Sequence, residues 1–199
     1  MPIEVRHEDG DLKVNFNETY SSEKLYVFDG LFNLSEKTHI WNIVRNAFFK
    51  IGDDMNSKRY MKSEFDYREA AATNIIRKLQ KTTASKLLYN TAFERCIVTL
   101  DSYASIHTLR TVPGYILAQY YVNLEWDDNF GGESSFYNND DSLMFSSQYV
   151  PGRCLVFDGD LPHSFKPFTI EAPQHRFIVT FYYRKPMPTD DDLIAAGEQ

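Results

Sequence analysis

The stretch VPGRCLVFDGDLPHSFKP (150–167) decides how this chain is read. Pro151–Gly152 encodes a tight turn, CLVF a buried strand and Asp158–Gly159 a second turn. Pro162 then fixes the backbone immediately before His163. The histidine is thereby presented by rigid chain. Neutral imidazole is the commonest nitrogen ligand for Zn, Fe, Cu and Ni, and a metal site needs such rigid presentation. A single histidine in such a place is still more often structural than ligating.

Thirteen residues later, HRFIVTFYYR (175–184) places Arg176 at the start of a strongly apolar strand. A guanidinium is costly to bury unpaired there. Its planar fork suits a carboxylate, so a dicarboxylate ligand is a natural partner. The plainer alternative is a surface arginine at a strand start.

The rest of the chain supplies a frame. LYVFDGLF (25–32) reads as a strand running into a turn, and Ser35 as the N-cap of a helix over about 35–51. Further helical stretches are expected over roughly 64–81 and 83–92, packing a helical layer on a sheet. From residue 94 the pattern turns to strands: 94–100, 115–126, 134–137, 143–150, 153–158 and 176–184, punctuated by Pro–Gly and Gly–Gly pairs. Helices first and strands afterwards imply an α+β fold. The chain is expected to be a single domain over 1–199, with supporting elements over about 25–93, a β core over about 94–184 and an acidic tail over 185–199.

Composition narrows the functional classes. The 199 residues are 43% hydrophobic and 25% charged, as in an ordinary globular domain. A net charge of −7 argues against extensive binding to a nucleic-acid backbone. No apolar run is long enough to span a bilayer, and the start MPIEVRHEDG lacks a signal-peptide core, so no membrane association and an intracellular, cytoplasmic location are expected. Cys96 and Cys154 lack metal-knuckle spacing and read as buried free thiols.

Three segments together, YYVNLEWDDNFGGESSFY (120–137), 150–167 and 175–184, resemble the iron(II)/2-oxoglutarate oxygenases related to prolyl hydroxylases. The likeness extends over about 100–184. It implies a double-stranded β-helix, or jelly-roll barrel, with the N-terminal helical layer packed on it. It also implies Fe(II), 2-oxoglutarate as cosubstrate and O2. His163 matches the distal metal ligand of that family, Arg176 the anchor of the far carboxylate of 2-oxoglutarate, and Tyr121 a tyrosine that shares that carboxylate.

The family's other motif, His-x-Asp, falls in SIHTLRTVPG (105–114). His107 fits the histidine, but Leu109 stands at the aspartate, and leucine has no lone pair for a metal. Three readings follow: another acid (Asp101, Asp158 or Asp160) moves in, the vertex is left to water or an anion as in related halogenases, or the site is degenerate. The expected function is accordingly a hydroxylase-like oxygenase with an incomplete triad, acting on an unidentified small molecule or peptide. The alternatives are a non-catalytic binding module and a zinc-binding, cupin-like protein. Glu133 after Gly131–Gly132 reads as part of a turn. Arg110 and Lys166 read as solvated surface charges, with a place at the mouth, where they could meet an anion, as the alternative; His7, His39 and His175 read as structural or exposed.

Overall fold

The computed structural model describes residues 16–51, 61–65, 70–101, 109–173 and 175–186. Its elements run β1 (Asn17–Ser21), β2 (Leu25–Asp29), α1 (Leu34–Arg45), β3 (Lys50–Ile51), β4 (Met61–Phe65), α2 (Ala70–Leu79) and α3 (Ser85–Leu88). They continue with β5 (Ala92–Asp101), β6 (Tyr115–Tyr121), a 3-10 turn (Asp128–Phe130), β7 (Ser134–Tyr137), β8 (Leu143–Ser147), β9 (Cys154–Asp158), β10 (His163–Phe165) and β11 (Arg176–Arg184).

The strands form an eight-stranded sheet in the order β1-β2-β9-β6-β11-β5-β4-β3 and a three-stranded sheet in the order β10-β7-β8, with every pairing antiparallel. β11 lies inside the large sheet, paired with β5 along its whole length and with β6 from Ile178 onward. Because successive side chains point to opposite faces, β11 serves two cores. Phe177, Val179, Phe181 and Tyr183 meet Ile40 and Val44 of α1 and Ile75 and Leu79 of α2 in one cluster. Ile178 joins Tyr121, Leu155 and Phe157 of the large sheet with Phe136 and Phe165 of the small one in the other. Helices, large sheet and small sheet are thus three layers. This is the α+β jelly roll expected from the sequence, with two facing sheets that do not close into a barrel among the described residues.

The element boundaries shift for local reasons. α1 ends at Arg45 and not near 51, and its cap is Asn33, not Ser35. The Asn33 side chain accepts from Glu36 N (3.0 Å) and the Glu36 carboxylate accepts from Asn33 N (2.9 Å), a reciprocal capping box. Where a helix over 64–81 was expected, β4 precedes a shorter α2, because MKSEF pairs with β5 from Met61↔Leu100 to Phe65↔Cys96. The third helix contracts to the single turn Ser85–Leu88.

β6 stops at Tyr121, short of 126, because the Asn123 side chain replaces the backbone ladder. Its Oδ1 accepts from Phe177 N (2.9 Å) and its Nδ2 donates to His175 O (3.0 Å). β8 likewise stops at Ser147. Tyr149 beyond it turns inward, and its hydroxyl accepts from Val122 N (3.1 Å) and sits 2.6 Å from Phe177 O. Cys96 and Cys154 are buried free thiols, and no described helix is long and apolar enough to cross a membrane. The expected tail over 185–199 lies outside the described residues from 187 onward.

The glycine of the second turn is required by space. Gly159 N donates to Tyr115 O (2.8 Å) and Gly159 O accepts from Val112 N (2.6 Å). A Cβ at this position would strike both the Val112 and the Tyr115 carbonyl oxygens. Gly159→Ala should therefore lower the unfolding free energy by about 1–3 kcal/mol in a urea titration; an unchanged midpoint would show that the 112–115 segment yields freely.

Candidate functional site

His163 sits at the start of β10, hydrogen-bonded through its backbone to Arg110 in both directions (2.9 Å each) and registered with Phe136 of β7. Strand chain on both sides therefore fixes the position of its Cα. The ring is 1% exposed. Its Nδ1 lies 2.9 Å from Leu161 O. A carbonyl only accepts, so Nδ1 carries the proton and Nε2 carries the lone pair. That Nε2 is buried and has no hydrogen-bond partner among the described residues. Burial among Phe157 (4.9 Å between ring centroids), Phe165 (6.0 Å) and Phe136 (6.2 Å) pushes the imidazole pKa down to about 4, outweighing the bond to Leu161. The result is a neutral nitrogen donor with its unused lone pair inside a greasy pocket, and it fits a first-row transition metal.

The remaining ligand candidates fall differently. His107 lies outside the described residues. Leu109 immediately precedes Arg110, the backbone partner of His163, and is 45% exposed. Each of the three replacement acids has a cationic partner among the described residues. Asp158 and Asp160 are both held by Lys185 Nζ (2.6 and 2.7 Å), and Asp101 pairs with Arg176. No cluster of three His, Cys, Asp or Glu side chains occurs among the described residues.

Arg176 is not the surface arginine of the plainer reading: it is 1% exposed. Nη1 donates to Gly132 O (2.8 Å) and Lys166 O (3.2 Å), and Nη2 donates to Asp101 Oδ2 (3.0 Å). Nε is buried without a partner. The Arg176 guanidinium carbon lies 5.8 Å from the centre of Phe165 and 5.5 Å from that of Phe168. Phe165 is thus in contact with both His163 and Arg176. Gly132, at φ +84°, lets its carbonyl come this close, since a Cβ there would lie 3.1 Å from Nη1.

Tyr121 lies on the same interior face, fully buried, with its hydroxyl bonded to Ser134 Oγ and its ring stacked on Tyr149 at 4.4 Å. Burial raises its pKa, opposed by the Ser134 bond and the Arg176 charge, so it is a neutral phenol. Arg110 and Lys166 are exposed, and the Arg110 guanidinium lies 5.2 Å from the centre of Phe165. Gly131 and Gly132 both have positive φ, consistent with the turn before β7. His39 is exposed, His175 is half-buried against Phe177 (6.3 Å), and His7 lies outside the described residues.

Two interior residues are not found by motif reading. Asp101 is noticed only as a spare acid, yet the β11–β5 register sets it directly opposite Arg176. Gln119 sits on the interior face of β6 opposite Thr180, 2% exposed, with a buried Oε1 that has no partner. The signal for it is present in YILAQYY, where alternation puts the glutamine on the same face as Leu117 and Tyr121.

Residues 109–184 match the family model described as the 2OG-Fe(II) oxygenase superfamily. No curated protein matches the chain. Among solved structures, a Pseudomonas putida prolyl-4-hydroxylase superposes with a TM-score of 0.64 at 16% identity, over 82% of this chain and 94% of that one. A Trichoplax adhaerens prolyl hydroxylase, solved with a fragment of the hypoxia inducible factor oxygen degradation domain, gives 0.60 at 18% over 89% of each chain. HygX from Streptomyces hygroscopicus, solved with nickel and 2-oxoglutarate, gives 0.60 at 12% over 84% and 85%. At such identities the likeness is one of fold. Sequence and fold together make this chain similar, over residues 109–184, to the 2OG-Fe(II) oxygenase superfamily, whose members use Fe(II), 2-oxoglutarate and O2.

Proposed function

We propose that this chain is an Fe(II)- and 2-oxoglutarate-dependent oxygenase of the hydroxylase type, with a metal site that has a leucine in place of its carboxylate. The observation that carries this reading is the buried Nε2 of His163, without a hydrogen-bond partner among the described residues, with the Phe165 ring in contact with both this imidazole and the buried guanidinium of Arg176. His163 and His107 would hold the metal, and Arg176 and Tyr121 the far carboxylate of 2-oxoglutarate. When bound, metal and cosubstrate supply the oxidative decarboxylation that is coupled to substrate oxidation. The substrate is a small molecule or peptide. Residues 1–199 are read as one oxygenase-like domain, supported by β1–β4 sharing the large sheet with β5, β6, β9 and β11.

The protein's own residues have defined tasks in this reading. The Leu161 carbonyl holds the proton on Nδ1 and so leaves Nε2 free to ligate. Phe136 and Phe157 keep water from that lone pair. The two backbone hydrogen bonds to Arg110 resist displacement of the ligand. Leu109 favours a second reading, a module that binds metal and dicarboxylate weakly and turns over slowly, because the position supplies no anionic donor.

Anaerobic titration of the protein with Fe(II) and 2-oxoglutarate, followed by admission of oxygen and measurement of succinate, tests the proposal. A metal-to-ligand charge-transfer band with succinate formation is expected, and absence of both rejects it. Leu109→Asp should raise metal affinity by about tenfold or more by restoring the missing anionic donor. A band without succinate in the wild type, with turnover appearing in Leu109→Asp, assigns the second reading.

The pH dependence of the metal-free protein has a definite sign. His163 takes a proton near 6.5 when unfolded but only near 4 when folded. Between these values the unfolded state binds more protons, so His163 costs the fold stability as pH falls through this window. Denaturant titrations of wild type and His163→Gln should therefore diverge between pH 6.5 and 4, the wild type losing more. Parallel curves would mean that the folded imidazole is protonated normally.

A further inference from the structure

Arg176 already holds a carboxylate. Its Nη1 spends both hydrogens on the Gly132 and Lys166 carbonyls, which leaves Nε–Nη2 as the one edge able to grip a carboxylate with two parallel bonds. Asp101 Oδ2 lies on Nη2 of that edge at 3.0 Å, with both side chains at most 2% exposed. The pair is fixed from both ends, because Arg176 begins β11 and Asp101 ends β5 directly opposite it.

We infer that Asp101 sets the affinity of this site for dicarboxylates, as an internal carboxylate that competes with the far carboxylate of such a ligand for Arg176. The inference rests on the reading of Arg176 as the cosubstrate anchor. A dicarboxylate that enters must share or take over Nη2, and two carboxylates crowd one cation. The cost of that exchange sets the affinity, so ligands gripping Arg176 with a full carboxylate are taken up only if their other end is also well held, as by a metal. Removing the Asp101 charge does two things at once. It deletes the competitor, and it leaves a buried guanidinium without an anion, which a ligand carboxylate can supply.

The test uses the full chain, wild type and Asp101→Asn, with 2-oxoglutarate and Fe(II) under anaerobic conditions and with succinate alone. Asp101→Asn should bind both dicarboxylates about tenfold more tightly and be stabilised more by them in thermal unfolding, although its ligand-free form melts lower. If wild type binds 2-oxoglutarate and the variant binds it equally or more weakly, Asp101 positions Arg176 without competing, and the inference fails while the functional reading stands. If neither protein binds any dicarboxylate with or without iron, the functional reading itself fails. Should Asp101→Asn not fold, a structure of the wild type with 2-oxoglutarate decides the matter. Loss of the 3.0 Å contact between Asp101 and Arg176 supports competition, and an intact contact overturns it.

Discussion

One buried guanidinium ties this molecule together. Arg176 receives Asp101 from the end of β5, the Gly132 carbonyl from the turn before β7, and the Lys166 carbonyl from the chain leaving β10. The first belongs to the large sheet and the other two flank strands of the small one. A charge in this place is tolerable only if every one of these groups is brought to it, so satisfying Arg176 also fixes how the two sheets face each other. The Phe165 and Phe168 rings complete the enclosure. Fold and site are therefore held by the same contacts.

The surroundings of His163 follow a different rule. At His163 the protein leaves a polar atom unsatisfied. A buried acceptor with no donor costs free energy, and natural folds seldom keep one without use. The surrounding phenylalanines prevent a proton from relieving that cost near neutral pH, which keeps the lone pair available. Leu109, next to the backbone partner of His163, brings no charge to the same neighbourhood. A metal bound there would keep more of its positive charge than one held beside a carboxylate, and an anionic ligand would be drawn to it more strongly.

Much of this was legible in the sequence, and for identifiable reasons. β11 and β7 were read to the residue, because continuous apolar or aromatic runs bounded by turns admit little else. The helical layer was anticipated but its edges were not. Asn33 caps α1 through a side chain two residues before the serine that looked suitable, and MKSEF becomes strand only because β5 is there to pair with it. β10 is three residues long and exists through its neighbours, so no local pattern announces it. His163, Arg176 and Tyr121 were found through motif order. Asp101 was seen as an acid near the histidines, but its place opposite Arg176 is a matter of register between strands far apart in sequence. Gln119 lacks any motif and is visible only once β6 is known to present it inward.

The ring stack beside the site gives the molecule an optical property. The chain has two tryptophans, Trp41 and Trp126. Trp41 packs edge-on against Phe177 on the helical side of the large sheet. Trp126 packs on Tyr149 at 4.6 Å, which stacks on Tyr121, and its indole N–H is bonded to the carbonyl of Gly131, the neighbour of the Gly132 that binds Arg176. One indole therefore senses the helix–sheet interface and the other the surroundings of Arg176. The intrinsic emission of the protein carries two spatially separate signals, so events at the pocket can be followed in the native chain without attaching a dye.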